Sequence, residues 1–130
     1  MSRVKSALCA VAAAGAAAIL AASPASAGTN VSVHTTDPWH AGAAGFMANG
    51  DEVTVCDNRS DGKRATAIFV YTGRHSSEKV NISDTNGAGN SCAVKKFDIP
   101  EGNRVLLEVC VQDGANGALR SCSGDKEGKA

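Results

Sequence analysis

The chain has 130 residues and carries 13 basic against 13 acidic side chains, with 43% of its residues hydrophobic and 4% aromatic. A balance that even, with both signs interspersed, gives no electrostatic case for nucleic acid or an anionic membrane as partner. Length alone limits the chain to one small domain.

The chain opens on a three-part pattern: Arg3 and Lys5, an apolar run from Ala7 to Ala22 interrupted by Gly15, then Ser23-Pro24-Ala25-Ser26-Ala27. This is the pattern of a secretory signal peptide over residues 1–27, with cleavage after Ala27. A membrane anchor is the rival, but the run is shorter and richer in alanine than the roughly 20 apolar residues a span requires. Removal of Arg3 and Lys5 with the leader leaves 11 basic and 13 acidic side chains, a net charge of −2.

Asn30 to Thr35 alternates, with Val31 and Val33 on one side, and predicts a first strand that Asp37-Pro38 ends, because proline lacks an amide proton and restricts the residue before it. Trp39 and His40 follow in a loop. Phe46-Met47-Ala48 and Asp51 to Cys56 flank Asn49-Gly50, a hairpin signal of the type I′ kind. Val53 and Val55 then face the core and Cys56 the other side. After the polar Asp57 to Gly62 turn, Ala65 to Thr72 has apolar groups on both faces and reads as a central strand. Val80 and Ile82 mark a short further strand.

Asp84 to Ser91 is turn-rich, and Ala93, Phe97 and Ile99 share a parity that Lys95 breaks. The most strand-like run is Arg104 to Gln112. Val105, Leu107, Val109 and Val111 alternate with Leu106, Glu108, Cys110 and Gln112, so Cys110 points away from the core side. Leu119 to Cys122 is a short candidate partner. The charged, glycine-containing residues 124–130 have nothing to bury and are expected to be disordered. About seven short strands with turn chemistry every eight to twelve residues predict, for residues 28–123, an all-β fold. It is a small immunoglobulin-like or Greek-key β-sandwich, with a small barrel as the alternative.

Of five cysteines, Cys9 leaves with the leader. Cys56, Cys92, Cys110 and Cys122 remain, an even number that in an exported chain reads as two disulfides with three possible connectivities. A zinc site is disfavoured because no C-x-x-C pair exists and histidines are lacking nearby. Cys110 and Cys122 flank one hairpin-length loop, which makes their pairing local and leaves Cys56 for Cys92. Parity places both bonds outside the apolar faces rather than across the core.

No catalytic residue is expected. Asp57, Asp61 and Gly62 hint at a calcium loop, yet Arg59 and Ile68 stand where ligands belong, so a plain turn is the reading and no metal or cofactor is implied. His34, His40 and His75 come with no G-x-S-x-G elbow. Carboxylate pairs such as Asp51 with Glu52 or Glu101 with Glu108 give no sign of converging as glycoside hydrolysis needs. Lys63-Arg64 and Lys95-Lys96 read as decoration of edge strands. Asn30, Asn58 and Asn81 match the N-glycosylation pattern, which matters only in a eukaryotic secretory route.

Trp39, with His40 and Tyr71, is the candidate binding group: an exposed Trp39 beside Tyr71 would stack on a sugar or anchor a protein. The plainer expectation is that Trp39 caps one end of the core, since tryptophan is mostly buried.

Gly50-Asp51 to Val55-Cys56-Asp57, Asp61-Gly62, Gly87-Ala88-Gly89-Asn90-Ser91-Cys92, Val109-Cys110 and Cys122 together resemble the small secreted, disulfide-bonded β-proteins of actinobacteria, a group mostly uncharacterised. The resemblance covers nearly the whole mature chain. It implies a secreted, disulfide-bonded β fold and carries over no catalytic residue. The functional expectation is a secreted, monomeric, non-enzymatic extracellular module whose loops bind a protein or a cell-envelope glycan, with no nucleic acid and no membrane as partner. The alternative is an inhibitor of a secreted protease or amylase, inserting loop Asp84 to Ser91 or Asp113 to Ser121 into its target.

Overall fold

The computed structural model describes residues 27–130, so the predicted leader, apart from Ala27, lies outside the described residues. Among the described residues nine strands form in chain order: β1 (Val31–His34), β2 (Gly42–Met47), β3 (Glu52–Asp57), β4 (Arg64–Thr72), β5 (Ser77–Ser83), β6 (Ala93–Lys96), β7 (Arg104–Gln112), β8 (Leu119–Arg120) and β9 (Lys126–Lys129). There is no helix among the described residues, hence none long and apolar enough to cross a membrane.

One sheet has the order β1-β2-β3-β6; the other runs β5-β4-β7, with β8 and β9 both on the far edge of β7. Every pairing between strands is antiparallel. β3 pairs with β6 in one sheet while β4 pairs with β7 in the other. These interlocked crossovers are those of a Greek-key, immunoglobulin-like sandwich, in which strand B joins E and strand C joins F.

The alternation in sequence builds the core. Val31, Val33, Ala44, Phe46, Val53 and Val55 point inward from the first sheet and meet Ala65, Ala67, Phe69, Val105, Leu107 and Val109 from the second. Burying one face of each sheet against the other is what makes two half-apolar layers stable in water. Phe46, Phe69, Tyr71 and Phe97 cluster at one end, with ring centroids 5.0 to 5.6 Å apart. Lys95 stands opposite Val53 and so occupies an inward position of edge strand β6. It escapes burial by carrying its ammonium over the Phe97 ring, 5.6 Å from the centroid. An inward-pointing lysine on an edge blocks further strand addition, which explains the break in parity.

The structure departs from the sequence reading in three places. Nine strands are present rather than about seven, and the edge of β7 is covered by two of them, β8 and β9, where the sequence marks one short partner. The split lies at Ser121, whose φ of 52° breaks the ladder and sets Cys122 against Cys110. Second, residues 124–130 are not a disordered tail. Strand β9 pairs Arg104 to Leu107 with Lys129 to Lys126, and Ala130 is fully buried. The buried positions here are Gly128 in the strand and Ala130 just beyond it, so the segment carries none of the large apolar residues that announce a strand. A Cβ at Gly128 would lie 2.4 Å from Val31 Cγ2 and 2.6 Å from the Thr29 carbonyl oxygen, so only glycine lets the backbone approach. Third, the β2–β3 hairpin exists, but Gly50 and Asp51 take the positive φ (99° and 50°) and Asn49 does not. A four-residue loop, Ala48 to Asp51, replaces the two-residue turn.

The disulfides join Cys56 to Cys92 and Cys110 to Cys122. Cys110 is fully buried although it points away from the valines, because its own bond to Cys122 covers it. β9 also closes one side of the sandwich. The Thr29 and Lys129 backbones bond at 2.8 and 3.3 Å, and Lys126 Nζ donates to the Ser32 carbonyl at 3.2 Å.

Candidate functional site

One end of the sandwich gathers the β1–β2 loop (residues 35–41), the β3–β4 loop (58–63) and the β7–β8 loop (113–118). Between them lies a cleft of about 420 Å³ whose lining includes Asp37, Trp39, Arg59, Lys63, Asp113 and Arg120. Volumes of roughly 300 to 1,000 Å³ are usual for small-ligand sites.

Asp37 organises the first loop. Its carboxylate accepts hydrogen bonds from the Thr35 hydroxyl, from the Trp39 N–H at 3.3 Å and from the Ala41 N–H at 3.1 Å. His40 takes a φ of 47° and its ring Nδ1 lies 2.8 Å from the Thr35 carbonyl. A carbonyl only accepts, so Nδ1 carries the proton. The first loop is tied to the β3–β4 loop and to the residue that follows β8. Thr36 N–H donates to the Ser121 carbonyl at 2.9 Å and Asn58 N–H to the Ala41 carbonyl at 2.8 Å. Trp39 is therefore held on a braced loop while 65% of it stays exposed, and the Arg59 guanidinium sits 3.7 Å from its ring centroid. Such stacking of a guanidinium on an indole stabilises both by roughly 0.5 to 1 kcal/mol at an exposed site. It also fixes the plane of the indole.

Burial opposes the charge on Asp37, but the bonds from Thr35, Ala41 and Trp39 outweigh it and hold its pKa below the ordinary value of 3.8. A group with a depressed folded pKa contributes stability that is present above its unfolded pKa and lost as the pH falls through its folded pKa. Asp37→Asn is thus expected to cost roughly 1 to 3 kcal/mol at neutral pH. The gap to wild type should narrow as denaturant melts are taken below pH 3.8; a gap that stays constant down to acid pH would show that Asp37 is not held in this way. Burial pushes Asp57 the opposite way, up from its ordinary value, against the Arg59 N–H and with the charges of Asp61 and Asp84 adding to the rise. That contribution favours the folded state as pH falls, and it cancels in the comparison of wild type with Asp37→Asn.

The sequence-predicted binding residues are only partly brought together. Trp39 and His40 share the braced loop, and Trp39 does not cap the core. Tyr71 is elsewhere: it stacks on Phe69 at 5.6 Å and lies tilted against Phe97 at 5.2 Å. It stands near the far end of β4 from Arg64, roughly 23 Å away at the rise per residue of a strand. Its alternation with Phe69 turns its ring inward, where it packs partly buried against the core.

Other candidates are used structurally. Asp57 accepts from the Arg59 N–H and Asp61 from the Lys63 N–H, each at 3.0 Å, which is turn chemistry. Asp51 accepts from the Ile99 N–H at 2.9 Å, and Glu52 pairs with Lys96 at 3.8 Å. The His34 and His40 rings lie 5.8 Å apart, whereas His75 falls in the β4–β5 turn at the opposite end. Among the described residues, the side chains close enough to share an ion are Glu108, Cys110 and Cys122, and the two sulfurs are bonded to each other. Lys63-Arg64 does not decorate an edge: Arg64 opens the central strand and Lys63 lines the cleft.

Arg59 and Arg120 are not legible as site residues in the sequence. They stand 61 positions apart, one in the β3–β4 loop and one at the end of β8, and no local spacing connects them to Trp39.

No family model matches this chain, and no curated protein matches it. Among solved structures it is similar to the crystal structure of an endonuclease/exonuclease/phosphatase from Beutenbergia cavernae, with a TM-score of 0.50 and 22% identity. The likeness covers 78% of this chain and 26% of that one. The chain therefore matches about a quarter of that longer protein, and what the two share is the fold.

Proposed function

We propose that this protein is a secreted, non-catalytic binding module that takes a cell-envelope glycan in the Trp39 cleft. The observation that carries the reading is Trp39 itself: an indole 65% exposed, braced by Asp37 and backed by Arg59, at the mouth of a preformed cleft. An aromatic face held flat stacks on the C–H face of a sugar ring at little entropic cost, and polar groups around it bond the hydroxyls. Two disulfides fit an oxidising, extracellular setting. The loops after β3 and β7 are the positional counterparts of the B–C and F–G loops that form binding surfaces in immunoglobulin variable domains. The similarity to about a quarter of a longer chain named as an endonuclease/exonuclease/phosphatase is in keeping with an accessory module, a sandwich that also occurs joined to further sequence.

The test is retention on insoluble glycans, namely purified bacterial wall sacculi, chitin and cellulose. Wild type is expected to be retained on at least one and Trp39→Ala to be released, with a melt lowered by only the few degrees that loss of the Arg59 contact accounts for. Equal retention of both proteins would remove Trp39 from the site. No retention, together with inhibition in a panel of proteases and amylases, would replace the glycan by an enzyme target.

A further inference from the structure

Resting on the glycan reading of the Trp39 cleft, we propose that its ligand is an acidic saccharide, whose carboxylate or phosphate is neutralised by Arg120 and Lys63 while a ring stacks on Trp39.

The cleft carries three cations (Arg59, Lys63, Arg120) and three carboxylates (Asp37, Asp61, Asp113), and its net charge of zero conceals an asymmetry. Two of the carboxylates are spent. Asp37 is occupied by the Thr35 hydroxyl and the N–H groups of Trp39 and Ala41. Asp61 accepts from the Lys63 N–H and faces Arg59 at 3.8 Å. Arg59 is likewise engaged, between Asp61 and the Trp39 ring. Three charged groups are left to meet a ligand: Lys63, Arg120 and Asp113, all exposed. Among the described residues neither Lys63 nor Arg120 makes an ion pair.

Two unpaired cations against one carboxylate leave the available groups net positive, beside an aromatic platform. The guanidinium of Arg120 offers a planar fork for two oxygens of one anionic group, and Lys63 adds a mobile point charge. The rim that presents Arg120 is rigid. Gln112 Nε2 donates to the Gly117 carbonyl at 3.0 Å, and a Cβ at Gly117 would fall 2.0 Å from the Asp113 carbonyl oxygen, so the loop is closed as tightly as glycine permits.

The experiment measures binding of oligogalacturonate, a phosphomannan, neutral dextran and poly-glutamate to the intact protein. At least one acidic polymer is expected to bind about tenfold more tightly than dextran and to weaken several-fold when salt rises from about 0.05 to 0.5 M. Arg120→Glu and Lys63→Glu should each cut that affinity about tenfold with unchanged melts, since both side chains are exposed. Asp113→Asn should raise it roughly two- to fivefold by removing the opposing charge, a gain that damage to the fold does not produce. Preference for oligogalacturonate marks the carboxylate as the recognised group, and preference for the phosphomannan marks the phosphate.

Dextran binding as tight as the acidic polymers, lost in Trp39→Ala and indifferent to the charge variants, overturns this inference and leaves the glycan reading standing. No polymer bound at all overturns this inference, and the glycan reading falls with it only if wall sacculi, chitin and cellulose also fail to retain the protein. Tight binding of poly-glutamate in place of the acidic saccharides overturns it in favour of an acidic protein partner.

Discussion

Full reduction of the two disulfides is expected to abolish the cooperative thermal transition or to lower its midpoint by tens of degrees. The loops they close span 36 residues between Cys56 and Cys92 and 12 between Cys110 and Cys122. The chain-entropy estimate assigns them about 4 and about 3 kcal/mol. A domain of this size is stable by only about 5 to 15 kcal/mol, so together they represent half of the stability or more. The two losses should differ in kind as well as size. Cys56 stands at the end of β3 beside the start of β6, and its bond anchors the loop that leads into that strand. Cys110–Cys122 holds the break between β8 and β9. Replacing Cys56 and Cys92 by alanine should therefore cost more than replacing Cys110 and Cys122. Melts with and without strong reductant, with free thiols counted by mass spectrometry, decide the matter. An unchanged melt with four free thiols would refute the argument.

Deletion of residues 126–130 is expected to cost about 2 to 4 kcal/mol, because the ladder hydrogen bonds and the packing of β9 outweigh the entropy cost of ordering five residues. For a domain of about 100 residues that is a fall of roughly 10 to 25 °C in the melting midpoint. The deletion removes the pairing of β9 with Arg104 to Leu107, the Arg104–Glu127 ion pair at 2.8 Å and the Thr29–Lys129 bridge between the sheets. The ion pair is exposed and adds little; the loss lies in the uncovered flank of Val105 and Val31 and in the bare edge of β7. A bare edge of that length invites intermolecular pairing, so the truncated protein should also aggregate on warming. Gly128→Val in the full-length chain tests the same packing without shortening it, because its side chain would collide with Val31 and Thr29. If both variants melt with wild type, β9 contributes nothing to stability.

The reach of the sequence is seen in particular residues. Period-two alternation places Val53, Val55, Val105, Leu107 and Val109 on the core side, and all five are buried. It sets Cys56 and Cys110 out of phase with them, and the pairing of the cysteines follows from that and from loop length. Strand β9 is invisible in the sequence because Gly128 and Ala130 suit their places by fit against Val31, Thr29 and Val105, and fit leaves no hydrophobic signal. Residue type singles out Trp39 but not its exposure: whether an indole caps a core or stands over a cleft depends on how Asp37 folds the loop beneath it.

Alternation, turn residues and cysteine parity determined the all-β class and the pairing of the cysteines by themselves, because the period of a strand and the reach of a disulfide are local properties of the chain, while the choice of two layers over a small barrel came from the tertiary structure. Only the tertiary structure decided that Trp39, Arg59, Lys63 and Arg120 share one cleft while Tyr71 is kept at the other end. That grouping arises where strands far apart in sequence end on the same side of the sandwich. Which loops meet there is set by the crossovers between sheets, and no short stretch of sequence encodes it.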